Sequence, residues 1–246
     1  MLLAAALSLL IGLTLGLLGG GGSILTLPML VYVLQVEAKQ SIASSLFVVG
    51  VTSLVGMVAH ARAGRVQWRV GFLFGAAGMA GAYTGGRVAW FLPGQVLLLA
   101  FGVVMLVTAL AMLRGRREHG PAELALARVL GVGFAVGVVS GLVGAGGGFL
   151  IVPALSLFGG LAMPEAVATS LFVIALQSFA GLGGHVVNTE LDWQLLSLVT
   201  VAAVAGSLVG VRVARHLSPA MLRRTFAWFV LGMAIFFIAG QLVRGG

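Results

Sequence analysis

Slid past itself by 125 positions, the sequence lays GLLGGGGSILTLP (residues 16–28) over GLVGAGGGFLIVP (residues 141–153), glycine on glycine and proline on proline. The register then holds without a gap. Ala43, Ser45, Leu46, Phe47 and Val48 meet Ala168, Ser170, Leu171, Phe172 and Val173; Ser53 and Gly56 meet Ser178 and Gly181. His60 meets His185, Trp68 meets Trp193, and Gly81, Gly85, Arg87, Val88 and Ala89 meet Gly206, Gly210, Arg212, Val213 and Ala214. Shared apolar composition yields scattered Leu and Val matches, not His, Trp, Arg and Pro paired at one constant offset. The chain is a tandem duplication, divided as 1–118 and 119–246, and its fold must be built twice.

What is duplicated is a set of membrane segments. Of 246 residues 60% are hydrophobic and 8% charged, against roughly a quarter charged in soluble domains. Apolar stretches near the length that crosses a hydrocarbon core of about 30 Å recur throughout, separated by short polar joints. An excess of 14 Lys and Arg over 6 Asp and Glu would suggest nucleic-acid binding in a soluble protein. Here it reads as the basic bias of cytoplasmic loops, and no nucleic-acid partner is expected. With no cysteine in the chain, disulfides, thiol relays and cysteine-ligated metals are excluded. His60, His119, His185 and His216 form no ligand spacing, so neither a metal nor a cofactor is expected. The opening MLLAAALSLLIGLTLG lacks a basic n-region and an A-x-A site, and its counterpart LGVGFAVGVVSG is internal; it reads as mature structure.

Each copy contains five apolar elements, in the first at roughly 2–18, 24–34, 41–60, 68–90 and 94–113. An odd number of crossings per copy inverts the second relative to the first. Charge supports this. The joint at 60–69 carries Arg62, Arg65 and Arg69, whereas its equivalent at 185–193 carries Glu190 and Asp192 and no Lys or Arg. That joint, the inter-repeat joint (Arg114, Arg116, Arg117, Arg128) and the late joint (Arg212, Arg215, Arg223, Arg224) hold 11 of the 14 basic residues. All three share a side only under inversion, which puts them in the cytoplasm and both termini outside. The expected fold is an all-α polytopic membrane protein of two inverted repeats, about ten segments in all. The second segment of each repeat is short or re-entrant: eleven residues, 24–34, rise roughly 17 Å as a helix, about half a hydrocarbon core.

The glycine runs that open the short elements therefore lie inside the membrane, where irregular backbone is tolerated only if protein or a water-filled cavity satisfies it. In the first copy the run is Gly19, Gly20, Gly21, Gly22 and Ser23; in the second it is Gly144, Ala145, Gly146, Gly147 and Gly148. An exposed helix N-terminus presents free amides and a positive dipole end, an anion site needing no charged side chain. Close helix packing is the competing use of glycine. For Gly81 and Gly85 packing is the better reading. For the duplicated runs, each followed by a proline (Pro28, Pro153), substrate contact is. Neither run has the lysine or spacing of a nucleotide loop.

The candidate substrate site is accordingly Gly20, Gly21, Gly22 and Ser23 with Gly146, Gly147 and Gly148, joined by Ser44, Ser45, Thr169, Ser170 and Gln177 from the third elements. Hydroxyls in membrane helices also bond to their own backbone, but a mid-helix glutamine amide needs a cavity or another helix. Arg87 and Arg212 are candidate oxyanion contacts, though their places near element ends also suit snorkelling to the interface. His60 and His185, beside Trp68 and Trp193, fit interfacial belts. All six acids fall in joints, so the carboxylate relay of a proton-coupled pump has no candidate.

The duplicated GGGGSILTLP and GAGGGFLIVP, each followed by an A-x-S-L-F stretch and a His-to-Trp joint, resemble the sulfite exporter TauE/SafE family of membrane permeases over nearly the whole chain. That resemblance implies a carrier of sulfite, organosulfonates or related small anions, with the glycine runs, Pro28 and Pro153 as its signature segments. The expected partners are the lipid bilayer and a small anionic substrate, in a prokaryotic plasma membrane; the sequence does not indicate an oligomeric state. The alternative is an anion channel. A membrane-embedded enzyme would need an interior nucleophile with a base, or a metal cluster, and the sequence offers neither.

Overall fold

The computed structural model describes residues 2–113, 126–143, 148–157, 159–185, 191–214 and 216–245. Its regular elements are α1 (Leu2–Leu18), α2 (Gly21–Pro28) running on into a π-helical turn (Met29–Val33), α3 (Ala38–Ala61), α4 (Trp68–Ala89) and α5 (Gly94–Leu113). The second set is α6 (Leu126–Val143), α7 (Gly148–Leu157), α8 (Met163–His185), α9 (Trp193–Ala214) and α10 (Pro219–Gly245). The 125-residue offset carries α4 onto α9 end for end, and α3 and α5 start at the equivalents of the starts of α8 and α10. The division between residues 118 and 119 lies outside the described residues.

Helices are the form in which a single segment satisfies all its backbone polar groups without water. Among the described residues, Ala38–Ala61, Gly94–Leu113, Met163–Gly184 and Trp193–Ala214 are long and apolar enough to cross a bilayer. Large apolar side chains, among them Phe72, Phe91, Val201 and Trp228, face outward. The chain is an all-α polytopic membrane protein. The short elements are short for local reasons. Pro28 has no N–H to give to the preceding turn, and the helix beyond it widens so that the Leu34 amide donates to the Met29 carbonyl (3.0 Å). The exit turn passes through Gln35 at φ 55°; its equivalent, Gly160, has φ 62°. Both copies thus turn through left-handed backbone, once with the residue suited to it and once without.

Contacts at the glycines give the helix directions. Leu46 faces Gly181, Gly50 faces Ser178 and Gly56 faces Leu171, so α3 and α8, which are equivalents, cross antiparallel. The copies are inverted. Gly12 lies on the Ala203 carbonyl and Gly16 on that of Ser207, which makes α1 parallel to α9. Gly137 lies on Gly78 and Gly141 on Ala82 in the same way, making α6 parallel to α4. Each first helix is therefore sealed to the fourth helix of the other copy, backbone on backbone, through small residues. Gly81, Gly85, Gly206 and Gly210 belong to these seams, so their packing role is confirmed. The fifth helices bury Leu97, Phe101, Met105 and Ala109 in one cluster with their equivalents Leu222, Phe226, Val230 and Ala234.

The directions give the bundle two ends. At one, the Arg62 end, lie the joint after α3, the starts of α4 and α8 and the close of α9. At the other, the Glu37 end, lie the starts of α3 and α9 and the joint after α4, where the Lys39 ammonium sits 4.2 Å from the Trp90 ring centroid.

A methyl at Gly85 would meet the Val138 backbone and one at Gly210 the Leu13 backbone, whereas one at Gly131 or Gly232 meets nothing within 4 Å. Gly85→Ala and Gly210→Ala are expected to destabilise detergent-purified protein by about 1–3 kcal/mol. Gly131→Ala and Gly232→Ala should leave the thermal midpoint unchanged or raise it.

Candidate functional site

The first break is formed by Gly19 and Gly20, between α1 and α2. Gly19 sits at φ 71°, a conformation in which a Cβ is strained. Its carbonyl accepts a hydrogen bond from Ser170 Oγ of α8 (3.0 Å), which also bonds the Val167 carbonyl (2.8 Å). Ser23 Oγ bonds back to the Gly20 carbonyl (2.6 Å). Gly20, at the N-cap of α2, brings no side-chain cap, so the first amides of that helix have no partner within it.

Gly20 meets Gly148, the first residue of α7, backbone on backbone. A Cβ on Gly148 would stand 3.1 Å from Ser23 Oγ and 2.7 Å from Ile174 Cδ1. Ile174 is midway along α8. The two broken segments thus touch at mid-depth, where α2 and α7 both begin. Gly146 and Gly147 lie outside the described residues. Gly22 lies in the first turn of α2 rather than in the break, and a Cβ there would strike Ile11 and Leu15 of α1. Its glycine identity is explained by packing. Gly21 is the first residue of the helix.

The polar residues of the third helices divide. Ser45 bonds the Ile42 carbonyl (2.9 Å). Thr169 accepts the backbone N–H of Gln67 (3.0 Å). Ser44, with 7% exposure, lines a cavity. Gln177 is fully buried away from the break, pressed against Gly78 of α4, with no hydrogen-bond partner at either end of its amide. Thr52, its equivalent, and the equivalent pair Ser53 and Ser178 are also buried without a partner. Arg87 and Arg212 are exposed at opposite ends of the bundle, Arg212 bonding back to the Leu208 carbonyl (3.2 Å). The belt expectation fails for His60, which is buried (2% exposed) while Trp68 and Trp193 are exposed. His60 lies on the last turn of α3, whose inner face points into the bundle. The side chain of His185 lies outside the described residues.

The cavity opens at the Glu37 end. It holds about 270 Å³ and is lined by Leu30, Glu37, Gln40 and Ser44 on one side and Asp192 and Val199 on the other. Its acids also cap helices: Glu37 accepts the Gln40 N–H (3.1 Å), and Asp192 accepts those of Gln194 and Leu195 (3.0 and 3.1 Å). The equivalent place at the Arg62 end is filled. There Gln67 Nε2 donates to Glu165 Oε1 (3.1 Å), and Trp68 and Phe72 pack on Phe172 at 5.4 and 4.9 Å. The crevice left among Val70, Phe74, Ala154 and Leu155 holds about 10 Å³, the lower limit for one water. Gln40, Gln67 and the cavity itself went unnoticed in the sequence. The signal available was the offset, which pairs Gln40 with Glu165 and Gln67 with Asp192.

The profile of the family described as sulfite exporter TauE/SafE matches residues 4–237. The chain belongs to the TauE/SafE family. A probable membrane transporter protein of Xylella fastidiosa is 35% identical over 238 residues, covering 93% of this chain and 91% of its own. Probable membrane transporter proteins of Bacillus subtilis and Methanocaldococcus jannaschii are each 26% identical, covering 82% and 96% of this chain and 86% and 96% of their own lengths. No solved structure matches. In this TauE/SafE chain the starts of the two short helices meet at Gly20 and Gly148.

Ser170 holds the left-handed Gly19 from a helix of the other copy. Ser170→Ala leaves that buried carbonyl without its partner and is expected to cost about 1–3 kcal/mol, read as a lowered unfolding midpoint. Ser197→Ala, which loses only an exposed bond to the Gln194 carbonyl, should change it little.

Proposed function

We propose that this protein is a membrane transporter that moves a small anion, sulfite, an organosulfonate or a related sulfur-containing anion, across a prokaryotic plasma membrane. The observation that carries the reading is the meeting of Gly20 and Gly148 at mid-depth, where two inverted helices begin. Free amides and positive dipole ends there favour an anion, and the residues around the contact bring no fixed charge that would hold it too tightly to leave. Gly20, Gly21 and Ser23, with Gly146, Gly147 and Gly148, form the site, and Ser170, which bonds the Gly19 carbonyl, borders it; Gly22 packs on α1, and Ser44 and Thr169 belong to the two ends of the pathway. Family membership and the names of the relatives support transport, and sulfite is the substrate in the family's description.

The cavity is one-sided, open at the Glu37 end and filled at the Arg62 end, which supports a carrier working by alternating access over a channel. The seams refine which parts move. Since α1 is sealed to α9 and α6 to α4, the bodies that swing are these pairs, each built from both repeats (1–118 and 119–246), against the crossed α3 and α8. Arg62, Arg65 and Arg69 in the joint after α3 and Arg212 at the close of α9 lie at the Arg62 end, a basic bias that supports that end as cytoplasmic and both termini as outside. An inside-negative potential drives each negative charge outward by about 2.3 kcal/mol per 100 mV, and uncoupled export needs no carboxylate relay.

In proteoliposomes tested with sulfite, sulfate, sulfonates and carboxylates, saturable flux with counterflow is expected for sulfite or a sulfonate. A potential set with potassium and valinomycin should change efflux in the sense of moving negative charge. Ohmic currents far above carrier turnover would identify a channel, and dependence on a proton or sodium gradient would refute uniport. For sidedness, Gly64→Cys and Asn188→Cys should react with an impermeant maleimide from opposite faces; reaction from the same face would refute the assigned topology.

A further inference from the structure

The two mouths of the molecule are built from equivalent residues in different states. At the Arg62 end the start of α4 is held to the start of α8: Gln67 Nε2 donates to Glu165 Oε1 (3.1 Å) and the Gln67 backbone N–H to Thr169 Oγ1 (3.0 Å). The offset carries Gln67 to Asp192, Glu165 to Gln40 and Thr169 to Ser44. Those three residues line the cavity at the Glu37 end, and among the described residues no hydrogen bond joins Gln40 or Ser44 to Asp192. One mouth is bonded shut while its duplicate stands open.

The chemistry of the duplicates is complementary. At the closed mouth the amide is on the joint before the fourth helix and the carboxylate on the third helix of its partner copy. At the open mouth the carboxylate, Asp192, is on the joint and the amide, Gln40, is on the helix. Both partners have been exchanged, and the pair still comprises one primary amide and one carboxylate. An amide donating to a carboxylate is a charge-assisted bond, strong enough to hold a mouth yet reversible. Exchange of only one member would have left two carboxylates repelling or two amides without the charge. The apolar walls correspond too: Leu155 and Phe74 are packed at the closed end, and Leu30 and Val199 border the cavity.

We propose that Gln67 with Glu165 and Thr169, and Asp192 with Gln40 and Ser44, are the two gates of the transport pathway, and that they close in turn. When α9, carrying α1, tilts toward α3, Gln40 Nε2 donates to the Asp192 carboxylate and the Asp192 amide reaches Ser44 Oγ; α4, carrying α6, then leaves α8 and the Gln67 bonds part. This rests on the alternating-access reading above, but it names residues outside the glycine site and does not depend on the substrate.

The chain has no cysteine, so single probes are unambiguous. Ser44→Cys is expected to react with an impermeant maleimide from the Glu37 face. Adding Gln67→Glu sets two carboxylates against each other at the closed gate, opens it and shuts the other, so labelling should fall by roughly tenfold, the ratio that one hydrogen bond to a carboxylate can hold. Adding Gln67→Glu together with Glu165→Gln exchanges the partners and should restore labelling. Unchanged labelling in Gln67→Glu, or no restoration in the exchanged double variant, overturns the proposal. Independently, Gln67→Cys with Glu165→Cys and Gln40→Cys with Asp192→Cys should each form a disulfide under mild oxidant. If the second pair never links while the first does, the Glu37 mouth has no such gate. Labelling and cross-linking use no substrate, so gates that alternate in a protein moving none of the tested anions would refute the anion reading alone.

Discussion

Backbone laid directly on backbone is the contact on which this molecule depends. Lipid offers no hydrophobic drive for one apolar helix to prefer another over hydrocarbon, so association rests on close packing and on polar groups with nowhere else to go. The seams of α1 with α9 and α6 with α4 supply the first. Glycine in the first helices at positions 12, 16, 137 and 141 lets neighbouring carbonyls occupy the space of a Cβ. Because the seams join opposite copies, they hold the inverted repeats in register. The broken segments are thereby brought together at Gly20 and Gly148, with Ser170 holding the left-handed Gly19 in place.

The asymmetry between the ends follows from the same arrangement. A duplicated chain whose copies were identical in conformation would present two equal mouths. Here α4 packs more closely along α8 than its equivalent α9 does along α3, and Gln67 is bonded across to α8 while Asp192 makes no bond across to α3. The short helices differ as well: α7 runs regularly through Pro153, whereas α2 gives way to a π-helical turn after Pro28. Two packings of one repeat therefore stand side by side, as inverted-repeat carriers require.

Much of this was legible in the sequence because the offset tests every assignment twice. The ends of α4 and α9, the shortness of α2 and α7 and the inversion followed from Trp68 with Trp193, the glycine–proline spacing and the opposite charges of two joints. What was not legible depends on pairing across the chain. Nothing in the local pattern says that Gly12 seeks Ala203 rather than a neighbour in its own copy. Element length placed His60 near an interface, yet its face of α3 turns inward and it is buried. Gln177 had to meet a cavity or a helix, and only the fold shows that it meets Gly78. Gln40 and Gln67 were invisible because a glutamine beside a helix start is ordinary until its distant partner is known.

The exchange of first helices between copies also bears on how the chain comes to be made. Synthesis proceeds from the N-terminus, and α1 enters the bilayer long before α9 exists. Until then Gly12 and Gly16 present bare backbone to lipid or to provisional neighbours, and the left-handed turn at Gly19 lacks the serine that fixes it. The first copy is thus inserted before it is assembled. Its α4 finds α6 soon after leaving the ribosome, so that seam closes early, whereas the α1 seam must await nearly the whole chain. A structure symmetric in space is consequently asymmetric in time, with the burden of waiting placed on a helix that carries no charged residue.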